Sequence, residues 1–231
     1  MSNEEENQFE PKVVCNKGNM ILTEITIPDT QQKAYNLKFD FKKLNPSKVN
    51  IKALLSPSIY ELIQQVTPDL VEKIYILNIL NENETDICIL FKSFGKEVGI
   101  KPKYMIFRTT RGINYFCNTI EFYNKDITLV DQSKLLLNNY IKQIELDTNK
   151  YEPVIFNYGK TLINLYNLES QELLKLNNEQ PLTSLIDINF SIDFIATIED
   201  DIPLYMQNII GLMFKKIFYN LKQFIDNLNN I

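Results

Sequence analysis

The segment from Ile188 to Ile231 changes its hydrophobic period once, and that change limits the architectures open to the chain. Ile188, Phe190, Ile192, Phe194, Ala196 and Ile198 alternate with Asn189, Ser191, Asp193 and Thr197, the pattern of a strand with one buried face. Beyond Asp200-Asp201-Ile202-Pro203 the period lengthens. Met206, Ile210, Met213, Ile217, Leu221, Phe224 and Leu228 recur at helical spacing, and Ile209, Phe214, Phe218 and Ile225 widen the stripe. Pro203 suits a first helical turn, and the aspartates before it suit the positive end of a helix dipole. The chain therefore closes with a half-buried strand and a long amphipathic helix. A terminal helix laid across a curved antiparallel sheet is one way to build a hollow, apolar container.

A chain of 231 residues buries about 70% of its unfolded surface, enough for one sizeable core. We expect a single domain over 13–231 behind a disordered acidic tail at 1–12, which carries Glu4-Glu5-Glu6. A net charge of −5 argues against general nucleic-acid binding. No basic start precedes an N-terminal apolar segment, so no secretory signal is expected. Apolar runs stop well short of the about 20 residues that span a bilayer. Cys15, Cys88 and Cys117 are too scattered for a disulfide framework or a zinc site. The chain contains no histidine, which removes the commonest general base and the commonest metal ligand. These features point to a cytoplasmic, non-enzymatic protein that needs no cofactor.

Strands are expected at Met20 to Ile27 and around Leu37, Phe39 and Phe41, whereas Val49 to Leu55 either continues the sheet or starts a helix. Ser58 and Glu61 have capping-box spacing for a helix that ends before Pro68. Ile74 to Leu80 reads as a strand, followed by a turn at Asn81-Glu82-Asn83-Glu84. Asp86 to Phe122 reads as three strands with Gly95, Gly99 and Gly112 marking loops. Further strands are expected at Tyr140 to Leu146, Pro153 to Tyr158 and Thr161 to Leu165. The polar stretch 167–184 reads as an inserted loop. The order of elements suggests an antiparallel α+β domain around one helix.

The segment Lys101 to Phe122, KPKYMIFRTTRGINYFCNTIEF, resembles the START family of lipid-transfer domains. Pro102 and Arg108 fall in register with that family's V-x-P-R-D-F-V-x-x-R stretch, and Tyr115 matches the aromatic after its turn. Ile202-Pro203 and Asn208 resemble the family's closing motif, and Asp69 takes the Asp place of its W-D dipeptide. The resemblance runs from about Val13 to Leu228. Departures include Lys103-Tyr104 for Arg-Asp and Pro68 for the Trp. It implies a helix-grip fold of the START and Bet v 1-like kind, in which a curved antiparallel sheet wraps a long C-terminal helix. It also implies non-covalent binding and transfer of one lipid in an apolar cavity between sheet and helix.

The ligand-binding residues expected on this basis are Arg108, Ile106, Phe190, Ile192, Phe194, Met206, Ile210, Met213 and Ile217. By the resemblance, Arg108 points into the cavity toward a lipid's hydroxyl or phosphate. Otherwise it reaches a surface acid from an edge strand. The helix stripe equally suits plain core, since each buried apolar side chain contributes about 1.5–3 kcal/mol. The family's sterol binders carry an acid on the strand before the buried Arg. A gapless alignment puts Ile89 there, and Asp86 would need a register shift, so a phospholipid is better supported than a sterol. The segment from Ile127 to Leu137 corresponds to the loop at the tunnel mouth. There Leu129, Val130, Lys134, Leu135 and Leu136 would touch a membrane transiently, or the segment packs on the body of the domain. Lys101, Lys103 and Arg111 form a local basic patch or a solvated loop. Cys88 and Cys117 read as inert buried thiols. The expected protein is a monomeric carrier, peripheral at membranes. A filled core would instead make a scaffold or protein-interaction module, and a hydrolase or cyclase on the related fold lacks an evident nucleophile–base pair.

Overall fold

In a computed structural model, the described residues are 11–17, 19–26, 33–93, 101–127, 134–154, 158–166, 188–197 and 204–231. Three strands open the chain, β1 (Lys12–Lys17), β2 (Met20–Thr26) and β3 (Lys33–Leu44). Two short helices follow, α1 (Ile51–Leu54) and α2 (Ile59–Val66), then β4 (Val71–Asn81), β5 (Glu84–Phe91), β6 (Lys103–Asn114) and β7 (Thr119–Asp126). After α3 (Lys134–Gln143) come β8 (Glu152–Pro153), β9 (Tyr158–Leu165), β10 (Ile188–Thr197) and the C-terminal helix α4 (Leu204–Asn230).

The strands form one open sheet in the order β1-β2-β3-β10-β9-β7-β6-β5-β4. All neighbours on that path are antiparallel, and β8 adds a short parallel pairing to the start of β6. Register shifts between β4 and β5 break their ladder three times, and such irregularities bend a strand and increase its twist. The concave face carries the larger core, where Leu37, Phe39, Ile87, Phe107, Ile163, Ile192 and Phe194 meet Ile63 of α2 and Ile217, Leu221 and Ile225 of α4. The opposite face carries a smaller core of Leu77, Cys88, Leu90, Tyr104, Ile106 and Tyr140, covered by α3. The expected α+β architecture, an antiparallel sheet with a long C-terminal helix across it, is therefore present.

Several local expectations are corrected, and one left open is decided. Lys12 belongs to β1 and pairs with Glu24, so the strand begins inside the stretch read as a tail. Val49 to Leu55 starts a helix, capped by Asn50 Oδ1 accepting from the Ala53 amide at 3.1 Å. The Ser58–Glu61 capping box does not form, because Ser58 is already helical (φ −60°, ψ −14°) and its side chain makes no capping hydrogen bond. Gly112 sits inside β6, paired with Glu121 of β7, and marks no loop. Tyr140 lies in the last turn of α3, where Leu136, Leu137, Tyr140 and Ile141 share one face at helical spacing. Of the strand expected at Pro153 to Tyr158, Pro153 ends β8, Tyr158 opens β9, and residues 155–157 lie outside the described residues. Residues 1–10, Gly95, Gly99, the 167–184 loop and Asp200-Asp201-Ile202-Pro203 lie outside the described residues.

Helix α4 is held at several points. Lys216 bridges Asp69, Asn220 Nδ2 donates to the Val66 carbonyl at 3.1 Å, and buried Lys215 approaches Cys15 Sγ of β1 at 2.7 Å. It comes close to the sheet at Gly211, where an added Cβ would lie 2.8 Å from two ring carbons of the buried Tyr35. Gly→Ala inside a helix ordinarily stabilises by about 0.5–1 kcal/mol. Here the clash opposes it, and Gly211→Ala is expected to destabilise by about 1–3 kcal/mol. Thermal melts with and without Tyr35→Leu check this: the alanine costs stability in the wild-type background and little or none beside leucine.

Candidate functional site

Between the concave face and the helices lies a cavity of about 100 Å³. Its walls come from five strands: Ile89 and Phe91 of β5, Met105 and Phe107 of β6, Phe122 and Asn124 of β7, Thr161 and Ile163 of β9, and Ile192, Phe194 and Ala196 of β10. Leu54, Ile59, Tyr60 and Ile63 close it from α1 and α2, and Phe214, Ile217 and Phe218 from α4. The strand residues follow directly from alternation, since side chains at i and i+2 share a face. Phe194 stacks on Phe214 and Phe218 with ring centroids 5.2 and 5.0 Å apart, and Phe218 reaches on to Phe39 at 5.6 Å. The wall shared by sheet and helix is thus built of adjustable ring contacts.

The lining is apolar apart from Tyr60, Asn124 and Thr161. Tyr60 and Asn124 make a polar end, where the Tyr60 hydroxyl donates to Asn124 Oδ1 at 3.1 Å and the Tyr60 ring packs on Phe107 at 5.6 Å. Burial pushes the Tyr60 hydroxyl up to about 12, a shift partly offset by Thr109 and Asn124. Thr109 is fully buried, and although it lies near enough to Tyr60 to influence that proton, its Oγ1 has no hydrogen-bond partner of proper geometry. Among the described residues the wall contains no charged side chain.

The expected site residues divide. Ile192, Phe194 and Ile217 line the cavity. Met213 is buried in the same core but is not part of the cavity wall. The side chains of Phe190, Met206 and Ile210 lie outside the described part of the structure. Ile106 and Arg108 are corrections. Met105 and Phe107 occupy the inward slots of β6, so 106 and 108 face the other way. Ile106 is fully buried in the smaller core beneath α3. Arg108 makes a two-point contact with Asp86, Nε to Oδ1 at 2.7 Å and Nη2 to Oδ2 at 3.0 Å. Tyr140 of α3 donates its hydroxyl to the same carboxylate at 2.6 Å. Asp86 stands directly opposite Arg108 in the β5–β6 ladder, so no register shift is needed to pair them. The hydrogen bonds that Arg108 donates to Asp86 raise the Arg108 pKa, and burial followed by Asp86 pushes Tyr140 up to about 12.

Leu129 and Val130 lie outside the described residues. Lys134 and Leu135 are exposed on α3, whereas Leu136 packs on the smaller core. Lys101 and Lys103 both bridge Glu152, and Arg111 turns to Asn83 Oδ1 and the Leu55 carbonyl, so these charges make no free basic patch. Cys88 is buried with its thiol pushed up to about 12 by burial, but Cys117 is exposed in the β6–β7 turn. The sequence reading missed Tyr60, Thr109 and Asn124. The one available signal was Asn124 itself, a polar residue two places after Phe122 in an inward slot.

No protein-family model and no curated protein matches the chain. Solved structures do match in fold. The human StarD13 (DLC2) lipid transfer and protein localization domain is similar with a TM-score of 0.59 at 8% identity, over 97% of this chain and 91% of that one. Human STARD10 gives 0.57 at 8% identity, over 96% of this chain and 74% of that one. A STAR-related lipid transfer protein from Xanthomonas axonopodis gives 0.55 at 11% identity, over 94% of this chain and 98% of that one. At such identities the likeness establishes the fold, which is that of START domains.

Two expectations follow from these buried polar groups. Arg108→Leu leaves the Asp86 carboxylate buried without its cation and is expected to cost about 3 kcal/mol in urea unfolding, much of it recovered by adding Asp86→Asn. Tyr35, Tyr60 and Tyr140 are each pushed from an ordinary 10.0 up to about 12. Their folded values lie above their unfolded ones, so their contribution is complete below pH 10 and is lost as pH rises toward 12. A thermal midpoint that falls across that window, more steeply than in Tyr140→Phe, is the expected result.

Proposed function

We propose that this protein binds one lipid non-covalently in the cavity between its sheet and α4, and exchanges it at a membrane surface. The observation that carries the reading is the wall itself: five adjacent strands and the terminal helix contribute inward apolar side chains around a single polar end. The fold shared with lipid-transfer domains supports it. No bond chemistry is involved. An apolar molecule leaves the bilayer for an equally apolar interior, and the wall excludes water.

At about 100 Å³ the cavity is smaller than the about 300–1,000 Å³ typical of ligand sites. Uptake of a whole lipid therefore requires α4 to move away from the sheet, with the Phe194, Phe214 and Phe218 rings separating as it does. Each ring pair contributes only about 0.5–1.5 kcal/mol beyond its burial, so this wall opens at modest cost. The Lys216–Asp69 bridge, with both side chains about half exposed, adds little resistance. Exposed Leu135 and Lys134, at the start of α3, would then meet the membrane. The small volume favours a second reading, in which the core stays closed and the domain serves as a protein-interaction module.

Native mass spectrometry of the purified protein, before and after incubation with mixed liposomes, separates the two. A one-to-one lipid adduct in wild type that is lost in folded Ala196→Phe, which fills the cavity from β10, is the expected outcome. A protein that stays empty selects the closed-core module.

A further inference from the structure

Resting on the lipid-binding reading, we infer that the ligand is an apolar molecule whose buried polar group is an uncharged hydroxyl, received by Tyr60 and Asn124 of the wall, with Thr109 beside Tyr60. The cavity has one polar end, and its hydrogen-bonding capacity is incompletely used. Tyr60 spends its proton on Asn124 Oδ1, leaving its own oxygen as an acceptor. The Asn124 amide nitrogen makes no hydrogen bond among the described residues, so it remains a donor. Thr109 Oγ1, on the same face of β6 as Met105 and Phe107 but not itself in the cavity lining, is fully buried next to Tyr60 without a partner of proper geometry. A buried hydroxyl left unsatisfied is unfavourable, and a group that both donates and accepts at this point relieves it. A hydroxyl does both. A carboxylate or phosphate only accepts, and it would bring a charge into a wall without a cation.

The charges nearby are committed elsewhere. Arg108 is on the far face, bound to Asp86, and Arg111 is engaged by Asn83 and the Leu55 carbonyl. An anionic or zwitterionic head group therefore finds no counter-ion at this end among the described residues. This reverses the preference for a phospholipid taken from the sequence, because that preference turned on how Arg108 and its acid were placed.

Matched eighteen-carbon probes test the inference by native mass spectrometry and competition: oleyl alcohol, oleate, 1-octadecene and dioleoyl phosphatidylcholine, each presented to the full chain. The alcohol is expected to bind at least about tenfold more tightly than the others, and Tyr60→Phe with Thr109→Val to shrink its advantage over octadecene about tenfold. Asn124→Leu, alone, gives the same readout if the double variant fails to fold. Oleate or phosphatidylcholine binding as tightly as the alcohol overturns the hydroxyl assignment while leaving the lipid-binding reading in place. An unchanged alcohol preference in the folded variants overturns the assignment to these residues. Failure of all four probes to bind overturns the lipid-binding reading, and the inference with it.

Discussion

The pairing of β10 with β3 on one side and β9 on the other is the constraint on which the remaining structure depends. It joins the N-terminal hairpins to the C-terminal half of the chain in one continuous ladder, from Ala34 opposite Thr197 to Leu44 opposite Ile188. Asn36 and Lys38 of β3 both bind Asp193, fixing the register with polar contacts on the face away from the cavity. With that seam in place the concave face has no gap behind α4. Without it, Phe39 and Phe41 would have no sheet to extend, and Phe218 would have nothing to pack against. Closing such a loop costs chain entropy before any contact rewards it, so this seam is entropically expensive to form.

Once the seam sets the face, strand alternation decides the chemistry of each side. On β6, Met105 and Phe107 go to the cavity, and Ile106 and Arg108 go beneath α3. The guanidinium that would make the cavity cationic is thereby spent on anchoring α3 through Asp86 and Tyr140. Burying an acid on the outer face and keeping the inner face neutral are two results of a single parity. A shift by one residue in β6 would exchange them, which is why the Asp86–Arg108 pair also guards the register.

The interior then balances two demands. Its wall is apolar enough to hold a lipid, yet the aromatic contacts between β10 and α4 keep the resting volume small. Ring stacking is weak pair by pair and does not impose one geometry, so it suits a wall that must part and re-form. The polar end is built differently. Tyr60 comes from α2, Thr109 from β6 and Asn124 from β7, so none of the three is carried by α4 itself.

Much of this was legible in sequence because burial imposes a period. The switch at the C-terminal segment identified β10 and α4, and alternation identified β2, β3 and β5. The inward placing of Ile192, Phe194 and Ile217 followed from the same periods. What failed was local where two periods overlap, as at Tyr140, whose neighbours fit a strand until α3 packs on the sheet. Pairing also overrode local signals, keeping Gly112 inside β6, and Ser58 lost its capping role once its backbone turned helical. Sequence alone fixed which residues are apolar, the period at which they recur, and hence the presence of a sheet and a covering helix. Only the tertiary structure decided which parity of β6 faces inward and which strands meet across the seam. Those choices depend on contacts between residues far apart in the chain, and no local pattern encodes them. The polar end of the cavity is the clearest case, since Tyr60, Thr109 and Asn124 share no motif and become one site only when α2 crosses β6 and β7.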